Sequence, residues 1–220
     1  MYIPPHFAFA DLAEVGAFVD AAQSADLVTF DGVKPVATLL PVIWDRPEEP
    51  GESDYGRVLG HVAVANDQWQ TAQPGAQALM IVHGPQAYIS PSWYESTARH
   101  GRTVPTWNYQ LVHLTGPVTF HQDPEWLRDI VTRLTRRHED GRARPWAVTD
   151  APPDFINGQL RGIVGVELTV TSVEAKQKVG QNRGRADQAS AAAALRDEPG
   201  PGPAAVADLM LANLAEEPAG

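Results

Sequence analysis

Proline and glycine constrain this chain more than any other feature. With 19 prolines and 18 glycines among 220 residues, the chain must turn often and build from short elements, as in a β core with a few helices. Hydrophobic residues make up 43% of it, enough to fill a full core. Length suits one good-sized domain, placed here at residues 1–185. A C-terminal tail over residues 186–220 is expected to be partly flexible, with one short helix after the EPGPGP spacer. Cysteine is absent, which removes disulfides, thiolate metal sites and thiol nucleophiles. The apolar runs are too short to span a bilayer and MYIPPHFAF has no basic leader, so the expected location is cytoplasmic, with no membrane partner. A formal charge of -10 opposes non-specific attraction to DNA phosphates.

In order, Asp11 offers an N-cap for a helix carrying Leu12, Val15, Phe18, Val19 and Ala22 on one stripe. Residues 26–30 read as a strand, Asp31-Gly32 as a hairpin turn, and 34–44 as the return strand. Pro35 and Pro41 suggest that this strand lies at an edge or bulge. Residues 47–54 (PEEPGESD) read as an acidic loop, 57–65 as a strand carrying His61, and 66–69 as a short helical turn. A buried strand at 76–83 is expected to end at Gly84-Pro85, and a long strand at 109–121 to break at Gly116-Pro117. Asp123-Pro124 opens the clearest helix, ending in Arg133, Arg136, Arg137 and His138. A short helix at 152–159 and one strand at 162–173 follow. Residues 174–185 are basic and polar.

The stretch 88–109, YISPSWYESTARHGRTVPTWNY, holds two aromatic-polar clusters around a polar loop. Two readings stay open: strand ends packing the core, or a pocket that sandwiches a planar ligand. Seven histidines occur, with no HxxxH or HExxH spacing. There is no G-x-S-x-G, no G-x-G-x-x-G and no P-loop, so the common hydrolase and nucleotide-binding frames are unsupported. Strand-borne His61, beside Gly60, and His113 remain as candidate ligands.

Several of these pieces together carry a resemblance: MYIPPHF, ATLLP (37–41), LGHVAVAN (59–66), HGPQAYISPSWY (83–94), VPTWNYQLVH (104–113) and VEAKQKVGQNR (173–183). The chain resembles the PaiB-type family, described as FMN-binding negative transcriptional regulators. The resemblance implies a mainly β fold with peripheral helices (α+β), an FMN-binding split β-barrel. It also implies a homodimer with its cofactor at the subunit interface. At one position the chain departs from the family pattern H-x-A-R-x-N: Val64 stands where an arginine is usual, which weakens the flavin expectation by a charge-assisted contact.

A subgroup similar in sequence, the piperazate synthases, uses haem b instead. They convert a small amino acid, N5-hydroxy-L-ornithine, into L-piperazic acid by forming an N–N bond with loss of water. On that resemblance His61 is the expected iron ligand, with His113 second. Trp93 and Trp107 would wall the macrocycle, and Arg99, Arg102, Lys176 and Lys178 would meet haem propionates or a flavin phosphate. Tyr94, Ser92, Thr106 and Asn108 would bind substrate or relay protons. The haem-dependent enzyme is the leading expectation. The alternatives are an FMN-binding repressor of the PaiB type, with DNA as partner through the Arg133–Arg137 or Lys176–Arg185 stretches, and an FMN-dependent oxidoreductase.

Overall fold

A computed structural model describes residues 1–9, 11–47, 55–73 and 75–216. Helix α1 (Leu12–Ala22) starts where Asp11 Oδ1 accepts the N–H groups of Ala13 at 2.8 Å and Glu14 at 3.1 Å. Strands β1 (Ser24–Phe30) and β2 (Pro35–Asp45) form the expected hairpin. Its turn is held by the Asp31 carboxylate, which accepts from Val33 and Lys34 N–H, each at 2.8 Å. Gly32 supplies the left-handed backbone there, with φ +94°.

β2 is not an edge strand. Residues 35–41 pair with β1 and residues 42–45 pair with β3 (Arg57–Ala63), both antiparallel. Pro41 stands where one ladder hands over to the next, so its missing N–H costs no interior bond. The remaining elements are α2 (Gln68–Thr71), β4 (Gln77–Ile89), α3 (Glu95–His100), β5 (Thr106–His121), α4 (Pro124–Glu139), α5 (Pro153–Leu160), β6 (Ile163–Thr169), β7 (Ser172–Lys178), α6 (Arg185–Leu195) and α7 (Pro201–Glu216). Strand order is β4-β1-β2-β3-β6-β5-β7, and β4 also pairs with β5. The pairing therefore makes a closed circuit of strands with β7 outside it, which removes most exposed edges.

Several sequence expectations are corrected. β4 runs through Gly84-Pro85 to Ile89, and β5 runs unbroken through Gly116-Pro117. Gly116 is required by contact, since a Cβ there would lie 1.7 Å from the Thr169 carbonyl oxygen. The single strand expected at 162–173 is two, β6 and β7, and β7 continues to Lys178 inside the basic, polar segment 174–185. Within 88–109 the loop is ordered as a 3₁₀ turn (Pro91–Trp93) followed by α3. In place of one short C-terminal helix there are two, α6 and α7. Of the acidic loop read at 47–54, residues 48–54 lie outside the described residues.

Two compact units share these strands. The first comprises Met1–Val15, His83–Val112 and Ala175–Gly220. Its core is Ile89 and Tyr94 packed with Val179, Leu195, Val206 and Met210, so α6 and α7 contribute buried apolar surface. The second comprises Gly16–Val82 and His113–Glu174. Its interior holds Leu27, Met80, Leu114, Val164 and Leu168, while Ile130 and Leu134 of α4 pack on Ile43 and Leu59. The Gln68 amide closes the β1–β2 hairpin by donating to Leu27 O, Thr29 Oγ1 and Val36 O, each at 3.1 Å. Among the described residues, no helix is long and apolar enough to cross a membrane.

Candidate functional site

The residues singled out in the sequence fall into two groups, one in each unit. In the first unit β4, the 3₁₀ turn and β5 place Tyr88, Trp93 and Trp107 together. Tyr88 lies 6.5 Å from each tryptophan centroid, at interplanar angles of 71° to Trp93 and 57° to Trp107. Both tryptophans meet this one tyrosine, Trp93 edge-on and Trp107 tilted. Tyr88 and Trp107 are each 47% exposed, unusual for large aromatics unless something covers them. Trp107 Nε1 donates to Gln86 Oε1 at 3.0 Å, which fixes the ring.

Beside this group, Lys178 Nζ donates to Thr106 Oγ1 and to Trp107 O. Burial, and then the charges of Lys176 and Arg183, push the Lys178 pKa down. Lys176 differs. Its ammonium sits over the rings of Tyr109, Tyr2 and Phe7 at 5.3, 5.7 and 5.9 Å and donates to Tyr2 O at 3.1 Å. It is 8% exposed, so it joins the N-terminal segment to β5 and β7 rather than facing a ligand.

Arg99 and Arg102, from α3 and the loop after it, line an open concavity of about 580 Å³ with Ser96, Asn182, Arg183 and Asp187. Arg183 lies over the Tyr94 ring, 4.7 Å from its centroid. Burial raises the Tyr94 pKa, against the opposing pull of Arg183, so the phenol stays protonated at neutral pH. Asp187 binds Ser96 twice, at N (2.8 Å) and Oγ (2.5 Å). Burial alone would raise the Asp187 pKa; the bonds from Ser96 and the charges of Arg183 and Arg99 carry it below the usual value. Arg183 and Asp187 were not singled out from sequence. Arg183 was readable as the last residue of VEAKQKVGQNR; Asp187 carried no signal.

The proton-relay residues are dispersed. Ser92 is exposed and shares a 2.7 Å hydrogen bond with Ser90. Asn108 is 1% exposed, with Nδ2 at 3.6 Å from Met210 Sδ and Oδ1 buried without a partner. It is covered by α7 and faces no open surface.

In the second unit the strand register lines up His61 on β3, Gly165 on β6 and His121 on β5. Directly paired residues share a sheet face, so both imidazoles flank a position with no side chain. Trp126 fills that gap: a Cβ on Gly165 would lie 2.1 Å from its ring, and the ring stacks on His121 at 4.3 Å and 16°. His121 Nε2 lies 3.1 Å from Glu167 Oε2. His61 Nδ1 is buried with no hydrogen-bond partner, and burial lowers the His61 pKa. The ring is neutral at physiological pH, the form that ligates metal. His113 Nδ1 is 4.0 Å from Glu174 Oε2. Val64 is 41% exposed just beyond β3. Among the described residues, no group of three or more acidic, histidine or cysteine side chains could hold a metal ion.

These donors can be matched to the two cofactors. The Arg99, Arg102 and Arg183 cluster suits a phosphate, and a 580 Å³ concavity lies within the ~300–1,000 Å³ range of cofactor-sized sites. A neutral His61 would hold haem iron as its protein ligand, though its Nδ1 lacks the hydrogen-bonded partner that orients most ligating imidazoles.

Comparison with known proteins agrees with this fold. A family model described as "Putative FMN-binding domain" matches residues 1–172. The "Protease synthase and sporulation protein PAI 2" of Bacillus subtilis is 32% identical over 217 residues, covering 99% of this chain and 100% of that protein. Among solved structures, the flavocytochrome Anf3 from Azotobacter vinelandii matches with TM-score 0.55 at 16% identity, over 80% of this chain and 72% of that one. The FAD and heme binding protein from Mycobacterium smegmatis matches with TM-score 0.50 at 15% identity, over 76% and 70%. At such identities these two likenesses concern the split-barrel fold alone. With one family model spanning most of the chain and a full-length relative above 30% identity, the chain belongs to the PaiB family of FMN-binding-domain proteins.

Proposed function

We propose that this protein is a flavin-phosphate-binding regulator of the PaiB type, acting as a homodimer. The observation that carries this reading is the convergence of Arg99, Arg102 and Arg183 on one concavity in a chain of net charge -10. A doubly charged phosphate is the ligand group that such a cluster recognises best. Tyr94 helps to hold Arg183 in place, and Asp187 caps α3 so that Arg99 and Arg102 stay at the rim. Bound flavin would supply hydride or single-electron chemistry; the protein's own part is to bind its phosphate and shield its ring. The dimer is supported by an unpartnered apolar sheet face, where Phe30 and Leu39 are 50% and 66% exposed.

DNA binding has less support. Arg133 and Arg137 at the end of α4 are paired with Asp45 and Asp20 of their own unit, so they do not form the open basic face that a helix end of this composition suggests. Titration of the purified chain with FMN, followed by flavin fluorescence, tests the main reading. Saturable quenching is expected, weakened at least tenfold in Arg99→Gln and Arg183→Gln; no saturable binding would end it. Retardation of DNA at physiological salt tests the regulatory output.

A second reading, the haem-dependent piperazate synthase, is favoured by one observation, the half-buried, neutral His61 with its buried, unpartnered Nδ1. Haem would supply a Lewis-acidic iron. A Soret band on addition of haemin that is altered in His61→Ala, together with loss of water from N5-hydroxy-L-ornithine by mass spectrometry, would replace the flavin reading with this one.

A further inference from the structure

Helix α4 carries three faces. Leu127, Ile130 and Leu134 point into the core, and Arg133 and Arg137 meet Asp45 and Asp20. The third face holds Arg128, Thr132, Thr135 and Arg136. At 100° per residue these four span a sector of about 100° on one side of the helix. They form one wall of a cavity of about 230 Å³, whose other wall is the 147–156 segment.

The polar groups of this cavity are unusual for so acidic a chain. Arg136 is exposed and meets no carboxylate among the described residues. Arg128 donates to a neutral partner, Asn157 Oδ1, and meets no carboxylate among the described residues. The nearby Asp150 carboxylate is engaged by Ala147 N–H at 2.9 Å. Thr132 donates its hydroxyl to Arg128 O at 2.7 Å, whereas the Thr135 hydroxyl has no bond among the described residues and can donate. Helix α5 begins beside the cavity at Pro153 without a side-chain cap, which adds the positive end of its dipole; Asp154 in its first turn offsets part of that. The floor is apolar, formed by buried Val148 and Ile156.

Two guanidinium groups without acids, a donor hydroxyl and an apolar floor describe an amphipathic ligand with an anionic head. Size limits it further. At ~30 Å³ per water molecule the cavity has room for about eight waters, below the ~300 Å³ at which drug- and cofactor-sized sites begin. We infer that this cavity binds a small organic oxyanion, a carboxylate or phosphate monoester with a short apolar body, through Arg128 and Arg136. Every residue lining this cavity belongs to the second unit, whereas Arg99, Arg102 and Arg183 of the flavin-phosphate reading belong to the first.

Calorimetric titration of the full chain with butyrate, n-butyl phosphate and inorganic phosphate tests it. Saturable binding of at least one organic anion is expected, with inorganic phosphate at least tenfold weaker because it leaves the apolar floor bare. Arg128→Gln and Arg136→Gln should each weaken that binding at least tenfold, while Arg99→Gln, at the other concavity, leaves it unchanged. Urea unfolding of the variants confirms that they are folded. Absence of saturable binding, equal affinity for inorganic phosphate, survival of binding in both arginine variants, or its loss in Arg99→Gln would each overturn the inference.

Discussion

His61 is neutral because burial removes water from its charged form, with no acid among the described residues to compensate. The unfolded chain has an imidazole near its ordinary pKa of 6.5, while the folded value is lower. As pH falls below 6.5, the unfolded state takes up a proton that the folded state resists, so stability is lost toward acid and is fully present above 6.5. Urea midpoints at pH 7.5 and 5.5 should therefore fall further in the natural protein than in His61→Gln; equal falls would show that His61 is not the group responsible. Gly165 makes a second prediction at this scale. Gly165→Ala puts a Cβ 2.1 Å from the Trp126 ring, which must leave its stack on His121. A loss of about 1–3 kcal/mol is expected, with a change in near-ultraviolet circular dichroism from the moved indole.

At the scale of elements, α4 organises the second unit. Asp123 Oδ1 caps it by accepting Glu125 and Trp126 N–H at 3.1 and 2.8 Å. Asp123→Ala should cost about 1 kcal/mol in urea unfolding. The cap, Pro124 at the first helical position and the apolar spacing were all readable in the sequence, because they are local. The destination of Arg133 and Arg137 was not, because their acidic partners lie on α1 and β2, far away in sequence. The same limit explains α6 and α7. An alanine-rich segment and a proline-glycine spacer carry weak local signals, and Ala191, Leu195, Val206 and Met210 are fixed by burial in a core that sequence periodicity does not reveal.

At the scale of the whole molecule, charge and exposed apolar surface bear on association. A net charge of -10 keeps copies apart unless a patch such as Phe30 and Leu39 offsets the repulsion by burial. Leu39→Asp places a charge on that face, and the mass by light scattering should drop from dimer to monomer; an unchanged mass would locate the interface elsewhere. Binding of flavin by the same variant distinguishes a site completed by the partner from one held within a single chain.

The stretch 88–109 marks the boundary between sequence and structure in this protein. Its aromatic-polar clusters, read with four other segments, determined the family, since side-chain identity and order along the chain are all that such a match requires. The hairpin at Asp31-Gly32 and the helix at Asp123-Pro124 were equally legible, because short-range hydrogen bonds fix them. Tertiary structure alone decided that Lys176 is enclosed by aromatic rings while Lys178 is not, and that Asn108 is buried under α7. It alone brought Arg183 to Arg99 and Arg102, and set His61, Gly165 and His121 in one row beneath Trp126. Each of these depends on strand register or on contacts between distant segments, and neither is encoded in the spacing of any one segment.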